Sequence, residues 1–149
     1  MEKKIFFGII IVIVIIMVIL AGLVLSIKEP AVQVSEIEFK SISILETSIS
    51  FDVTLRVDND NLFGATLKKV EADIIIDGTD IGDTYSEEEF EIEAKEISEV
   101  TVVLTVTSVP TTILGKSQIQ VQVSGTAHVK VSFFDFELPI DKTETVNIF

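Results

Sequence analysis

Ser50-Phe51-Asp52-Val53-Thr54-Leu55-Arg56-Val57-Asp58 alternates without a break, with Phe51, Val53, Leu55 and Val57 on one side and polar residues on the other. A period of two marks a strand with one face on a core and the other in water. It recurs over Glu99–Thr107, where Val100, Val102, Leu104 and Val106 share a face. It returns over Ile119–Phe133, where Val121, Val123, Ala127, Val129, Val131 and Phe133 are expected inward. Turn chemistry separates these runs. Asp77-Gly78, between Ile74-Ile75-Ile76 and Ile81, is a hairpin signal. Asn59-Asp60-Asn61 closes the first strand, since Asn side chains bond nearby backbone and tolerate left-handed geometry. Ser108–Lys116, with Pro110 and Gly115, reads as a short helical or irregular crossover.

About seven strands are expected: Val32–Phe39, Thr47–Asp58, Ala65–Ile76, Thr79–Thr84, Glu89–Glu93, Ile97–Thr107 and Gln118–Phe136, with Glu144–Phe149 adding an edge. Strands of this kind with regular turns and no long helix predict an all-β antiparallel sandwich.

Upstream the pattern is different. Ile5–Ile27 is a run of 23 residues without a charge. As a helix it spans about 34 Å, enough for a hydrocarbon core of about 30 Å. A lone segment satisfies its backbone in lipid only as a helix. A cleaved signal peptide has a shorter apolar region followed by a small-x-small site, whereas Ala21 and Gly22 sit inside this run. A retained transmembrane helix is therefore expected, with the lipid bilayer as partner of residues 5–27. Lys3 and Lys4 precede it, so residues 1–4 are expected in the cytoplasm and residues 28–149 outside. Glu29-Pro30 ends the helix. Gly8 and Gly22 form no GxxxG pair.

The chain of 149 residues carries a net charge of −13, almost all of it beyond the apolar run. From Ala31 onward there are 22 acidic and 8 basic residues. Such a surface repels phosphate backbones, so nucleic acid is not an expected partner. The absence of cysteine excludes disulfides, thiolate nucleophiles and thiolate metal sites.

Little in the sequence suggests catalysis. His128 is the only histidine, and strand alternation points it outward beside Thr126 and Lys130. No glycine-rich phosphate loop is present. Asp77, Asp80 and Asp83 are weak candidates for a hard cation, and Glu87, Glu88, Glu89, Glu91 and Glu93 form a second acidic group. Neither has the ligand spacing of a calcium loop, and a solvated face that keeps the domain soluble is the simpler reading. No cofactor is expected. Phe133, Phe134 and Phe136 break strict alternation; packing of both strand faces is the expected cause, and an apolar interaction patch the alternative.

Leu55 to Asp58, Asn59-Asp60-Asn61, Leu62-Phe63, Val70 through Gly82 with Gly78 between, and Val123-Ser124-Gly125-Thr126-Ala127 together resemble the LEA-14 (LEA type 2) or WHy-domain family. The family pattern is a strand ending in Asn-Pro-Asn, then a strand, a hairpin and a second glycine, and later a closing strand with an internal glycine. Asp60 stands where that family usually has proline, which leaves the loop less rigid. The resemblance implies a fibronectin-III-like sandwich, often tethered by one N-terminal transmembrane helix. It also implies a non-enzymatic role in desiccation or stress tolerance, with a protein or lipid partner at membranes. The expected function is a membrane-tethered, non-catalytic binding or stress-protective module. A lipid-handling module and a subunit of a membrane-anchored or pilin-like assembly stay open as alternatives.

Overall fold

A computed structural model describes residues 2–148. Helix α1 (Glu2–Leu25) comes first and buries none of its residues against the rest of the chain. It is apolar on every side, so it has no face to offer a protein core alone. A turn at Ser26, whose Oγ donates to the Leu23 carbonyl at 2.6 Å, ends it two residues before the expected boundary.

Eight strands follow: β1 (Ala31–Ser43), β2 (Ser48–Asn59), β3 (Ala65–Ile76), β4 (Thr79–Ser86), β5 (Phe90–Ile92), β6 (Glu96–Thr107), β7 (Gln118–Val131) and β8 (Phe134–Asn147). A single 3-10 turn, Thr111–Ile113, lies in the crossover from β6 to β7. One antiparallel sheet runs β1-β2-β6, and the other runs β4-β3-β7-β8. Strand β5 continues the β4 side of β3, pairing Ala65–Leu67 where β4 pairs Val70–Ile76. The fold is an antiparallel β-sandwich preceded by one apolar helix.

The decisive stretch is central. On β2, Ile49, Phe51, Val53, Leu55 and Val57 are fully buried. Burying each such side chain is worth about 1.5–3 kcal/mol relative to exposure. Across the first sheet Phe51 faces Leu104 and Val53 faces Val102; Leu67, Ile74, Val121, Val123 and Val129 fill the other side of the core. The sheets also meet along their open sides, β1 beside β8 and β4 beside β6. At the first seam, Glu144 Oε2 accepts the Ile37 N–H at 2.7 Å.

One strand assignment is corrected. Gln118–Phe136 is not continuous: Val131 pairs with Phe134 across a two-residue turn, Ser132-Phe133, and the chain returns as β8. Phe133 therefore sits at a hairpin tip, 64% exposed, rather than inward. The expected edge Glu144–Phe149 is the end of β8, with Phe149 outside the described residues.

Candidate functional site at the helix end of the sandwich

The register fixes which loops share an end. Ala31 opposes Asp58, and Asp58 opposes Ile97, so the start of β1, the end of β2 and the start of β6 lie together. Ala65 opposes both Ile92 and Val131, bringing the start of β3, the end of β5 and the β7–β8 tip to that same end. Helix α1 enters there. Five residues, Ser26–Pro30, separate it from β1; Ile27 packs against the core and Pro30 is buried.

Asn59 and Asn61 organise this end. Both are buried, and each polar group is matched. Asn59 Nδ2 donates to the carbonyls of Phe63 at 2.9 Å and Glu93 at 3.1 Å. Asn59 Oδ1 accepts from Asn61 Nδ2 at 3.0 Å. Asn61 Nδ2 also donates to the Lys28 carbonyl at 2.9 Å, and Asn61 Oδ1 accepts the Lys28 N–H at 2.6 Å. The Asn61 carbonyl accepts the Lys95 N–H at 3.1 Å. Two side-chain amides thus join three segments: the linker from α1, the β2–β3 loop and the β5–β6 loop. Lys95 holds a left-handed φ of 60° to reach its place, which costs a non-glycine residue about 1–2 kcal/mol. Among the described residues no buried side-chain nitrogen or oxygen lacks a partner.

Asp60 lies outside these amides and faces water. Its carboxylate meets Lys95 Nζ at 2.9 Å and Lys28 Nζ at 3.5 Å. The hydrogen bond from Lys95, then the charges of Lys95 and Lys28, hold its pKa below the ordinary carboxylate range. Where that family usually has proline, Asp60 bridges the two lysines, and the buried amides of Asn59 and Asn61 flank it. Neither Lys28 nor Lys95 stood out in the sequence, because their role depends on contacts 33 or 35 residues away.

The phenylalanines divide. Phe136 is half-buried and packs on the core, while Phe133 and Phe134 are 64% and 38% exposed with ring centroids 4.9 Å apart. The broken alternation comes from the hairpin at Ser132-Phe133, which resets the phase so that Phe136 faces the core opposite Val129, and not from packing on both strand faces. Ser132 has a φ of 56°. A two-residue hairpin needs such an angle at its first central position, and glycine normally supplies it. Leu62 and Ile97 are exposed at the same end.

The other candidate residues serve the sandwich itself. Asp77 and Gly78, with φ of 49° and 84°, form the β3–β4 turn. Asp77 Oδ1 accepts the Gln120 N–H at 2.9 Å, and Oδ2 meets Lys116 Nζ at 2.8 Å. The Lys116 hydrogen bond and then the Gln120 N–H lower the Asp77 pKa. Asp80 Oδ1 instead accepts the Gly82 N–H at 2.9 Å, and Asp83 opposes Asp73 across the strands. The three aspartates do not converge, and no cluster of three or more metal-ligating groups occurs among the described residues. Gly82, with φ of 130°, lies at the bulge where β4 approaches Val106 of β6. Gly125 lets β7 approach β3 closely; a Cβ there would overlap the Glu71 carbonyl oxygen and the Ala72 Cα.

His128 is half-exposed on the outer face, its Nε2 2.7 Å from Glu71 Oε1 and its Nδ1 3.9 Å from Glu137. The hydrogen bond with His128 is the main cause lowering the Glu71 pKa, with Lys69 adding to it. Lys69 Nζ lies 3.6 Å from Glu71 Oε2, so the Glu71 carboxylate sits between Lys69 and His128 on this face.

Comparison with known proteins agrees with this architecture. No curated protein sequence matches the chain. A structure from Arabidopsis thaliana, determined in solution, is 13% identical, covers 82% of this chain and 83% of its own, and superposes with a TM-score of 0.57. A crystal structure from Archaeoglobus fulgidus is 8% identical, covers 80% and 96%, and gives 0.56. An ApaA-type protein of Bordetella pertussis is 15% identical, covers 82% and 97%, and gives 0.51. At such identities these likenesses speak for the fold alone. The profile of the late embryogenesis abundant protein family, type 2, matches residues 54–144. With more than half of its length in that match, the chain belongs to the LEA type 2 family.

Proposed function

We propose that this chain is a membrane-tethered LEA type 2 module that works without catalysis, protecting or binding at the face of the bilayer that holds α1. The observation that carries this reading is the clasp of Asn61 on Lys28, which locks the residues following an apolar helix into the sandwich. A helix of 24 residues reaches about 36 Å, more than a hydrocarbon core of about 30 Å. None of its residues is buried by the domain, so in water nearly all of its apolar surface would stand exposed. Tethering holds the domain at high effective concentration near the lipid. Lys3 and Lys4 favour a cytoplasmic N-terminus and an extracytoplasmic sandwich.

The tether is tested by alkaline extraction of membranes from cells expressing the full chain; release into the supernatant contradicts it. Sidedness follows from Leu45→Cys, the sole thiol in an otherwise cysteine-free chain, labelled in intact cells by an impermeant maleimide. The protective role is tested by drying and rehydrating phosphatidylcholine vesicles that contain the full chain and an entrapped dye. Greater dye retention than in vesicles carrying the α1 peptide alone is expected. Equal leakage removes the protective reading.

A further inference from the structure

Outside α1, the exposed large apolar side chains are not scattered. Leu62, Ile97, Phe133 and Phe134 lie at the helix end, Ile44, Leu45 and Leu114 at the opposite end, and Tyr85 alone lies between. Apolar groups on a soluble surface need a reason when they gather. At the helix end the chain supplies the neighbour itself.

Distance decides whether that neighbour is reached. Helical hydrogen bonding continues through Ile27, whose N–H donates to the Val24 carbonyl, and Lys28 is already held by Asn61. From Leu25 to Lys28 the chain spans at most about 10 Å even when extended. The headgroup layer of one leaflet is roughly 5–8 Å deep, half the difference between the full bilayer and its hydrocarbon core. A domain fastened that close to the helix exit has its helix end in or against the headgroups.

We propose that the β7–β8 tip, Phe133 and Phe134, together with Leu62 and Ile97, seats in the headgroup layer of the bilayer that holds α1. The proposal rests on the tethering reading above. The register supports it, because Val131 pairs with Phe134 and leaves Phe133 exposed at the tip of the hairpin. Charge selects the lipid. The carboxylates of Glu29, Asp60, Glu93, Glu96 and Asp135 outnumber Lys28, Lys95 and Lys130 at this end, so zwitterionic headgroups suit it and an anionic surface does not. Phenylalanine and leucine side chains on an interfacial segment lie at the inner edge of the headgroup layer, where it meets the acyl chains.

The chain has no tryptophan, so a single introduced one reports its own surroundings. Full-length Phe133→Trp, Leu45→Trp and Ile16→Trp are reconstituted singly into phosphatidylcholine vesicles containing lipid brominated near the headgroup or deep in the chain. Leu45 is the control for exposure, being apolar and fully exposed at the opposite end. The expected result for Phe133→Trp is blue-shifted emission that is quenched by the shallow bromines. Leu45→Trp should stay unquenched, and Ile16→Trp should be quenched by the deep bromines. If Ile16→Trp is quenched while Phe133→Trp behaves like Leu45→Trp, the seating is overturned and the tether stands. If no brominated lipid quenches Ile16→Trp, the tether and the seating are overturned together.

Discussion

The side-chain amide of Asn61 grips the backbone of Lys28 from both sides, accepting its N–H at 2.6 Å and donating to its carbonyl at 2.9 Å. A residue 33 positions along the chain thereby acts as the strand partner that Lys28 lacks. Asn61→Ala in the full chain removes both bonds and strands the Asn59 Oδ1 acceptor. The expected loss is about 1–3 kcal/mol, the range for leaving buried polar groups unpaired. Asn61→Asp is expected to be worse, because it places a charge against the Lys28 carbonyl and Asn59 Oδ1. Denaturant unfolding measures the loss. Hydrogen exchange at the Lys28 amide, slow in the parent and fast in both variants, ties it to the clasp.

Gly125→Ala is expected to destabilise more than Gly78→Ala, although Gly78 has the positive φ. A Cβ at 125 runs into the backbone of β3, whereas at 78 it meets open space. Overpacking of that kind costs roughly 1–3 kcal/mol or more, while a left-handed alanine costs about 1–2. Thermal unfolding of the two variants side by side gives the ranking; equal midpoints would show that β3 yields enough to make the overlap no costlier than a left-handed alanine.

Ser132→Gly is expected to stabilise the β7–β8 hairpin by about 0.5–1 kcal/mol, relief of the left-handed serine exceeding the extra freedom of the unfolded glycine. The prediction fails if the unfolding midpoint falls.

Two carboxylates are expected to respond to pH with opposite sign. Asp77 ionises below its ordinary value because Lys116 and the Gln120 N–H hold the charged form. Its contribution is complete above the unfolded carboxylate range and is lost as pH falls through the lowered value. Asp77→Asn should therefore destabilise at neutral pH and match the parent in acid. Glu36 is raised, first by its hydrogen bond with Glu38, then by the charge of Glu38, with Glu144 and Glu99 adding repulsion. Its charged form opposes folding, so Glu36→Gln should stabilise at neutral pH, the gain disappearing as pH falls through the raised value. Unfolding midpoints of parent and variants across that range check both signs.

Much of the sandwich was legible in period-two alternation, because β2, β6 and most of β7 bury one face completely. The β7–β8 hairpin was not. Ser132-Phe133 carries none of the glycine, asparagine or aspartate that marks a tight turn, and Val131 and Phe133 continue the alternation straight through it. Strand β8 was hidden by Lys142 and Glu144, which occupy its inward phase between Ile140 and Val146. Charges can point inward there because β8 is an edge, and Glu144 spends its carboxylate on the Ile37 N–H of the other sheet. Asn59 and Asn61 were visible as turn residues. Their grip on Lys28 was not, since local sequence carries no signal for a partner beyond the next strands.

The buried amides at Asn59 and Asn61 also determine how the domain can move. A sandwich on a long leash samples every tilt, but here only Ser26 and Ile27 lie between the end of α1 and the clasped Lys28, which leaves a short joint. If α1 spans the bilayer as proposed, so short a joint would hold the sandwiches of many copies at nearly one height. The far ends, with Ile44, Leu45 and Leu114, would then line up as a common outer plane that an approaching surface meets before any lipid.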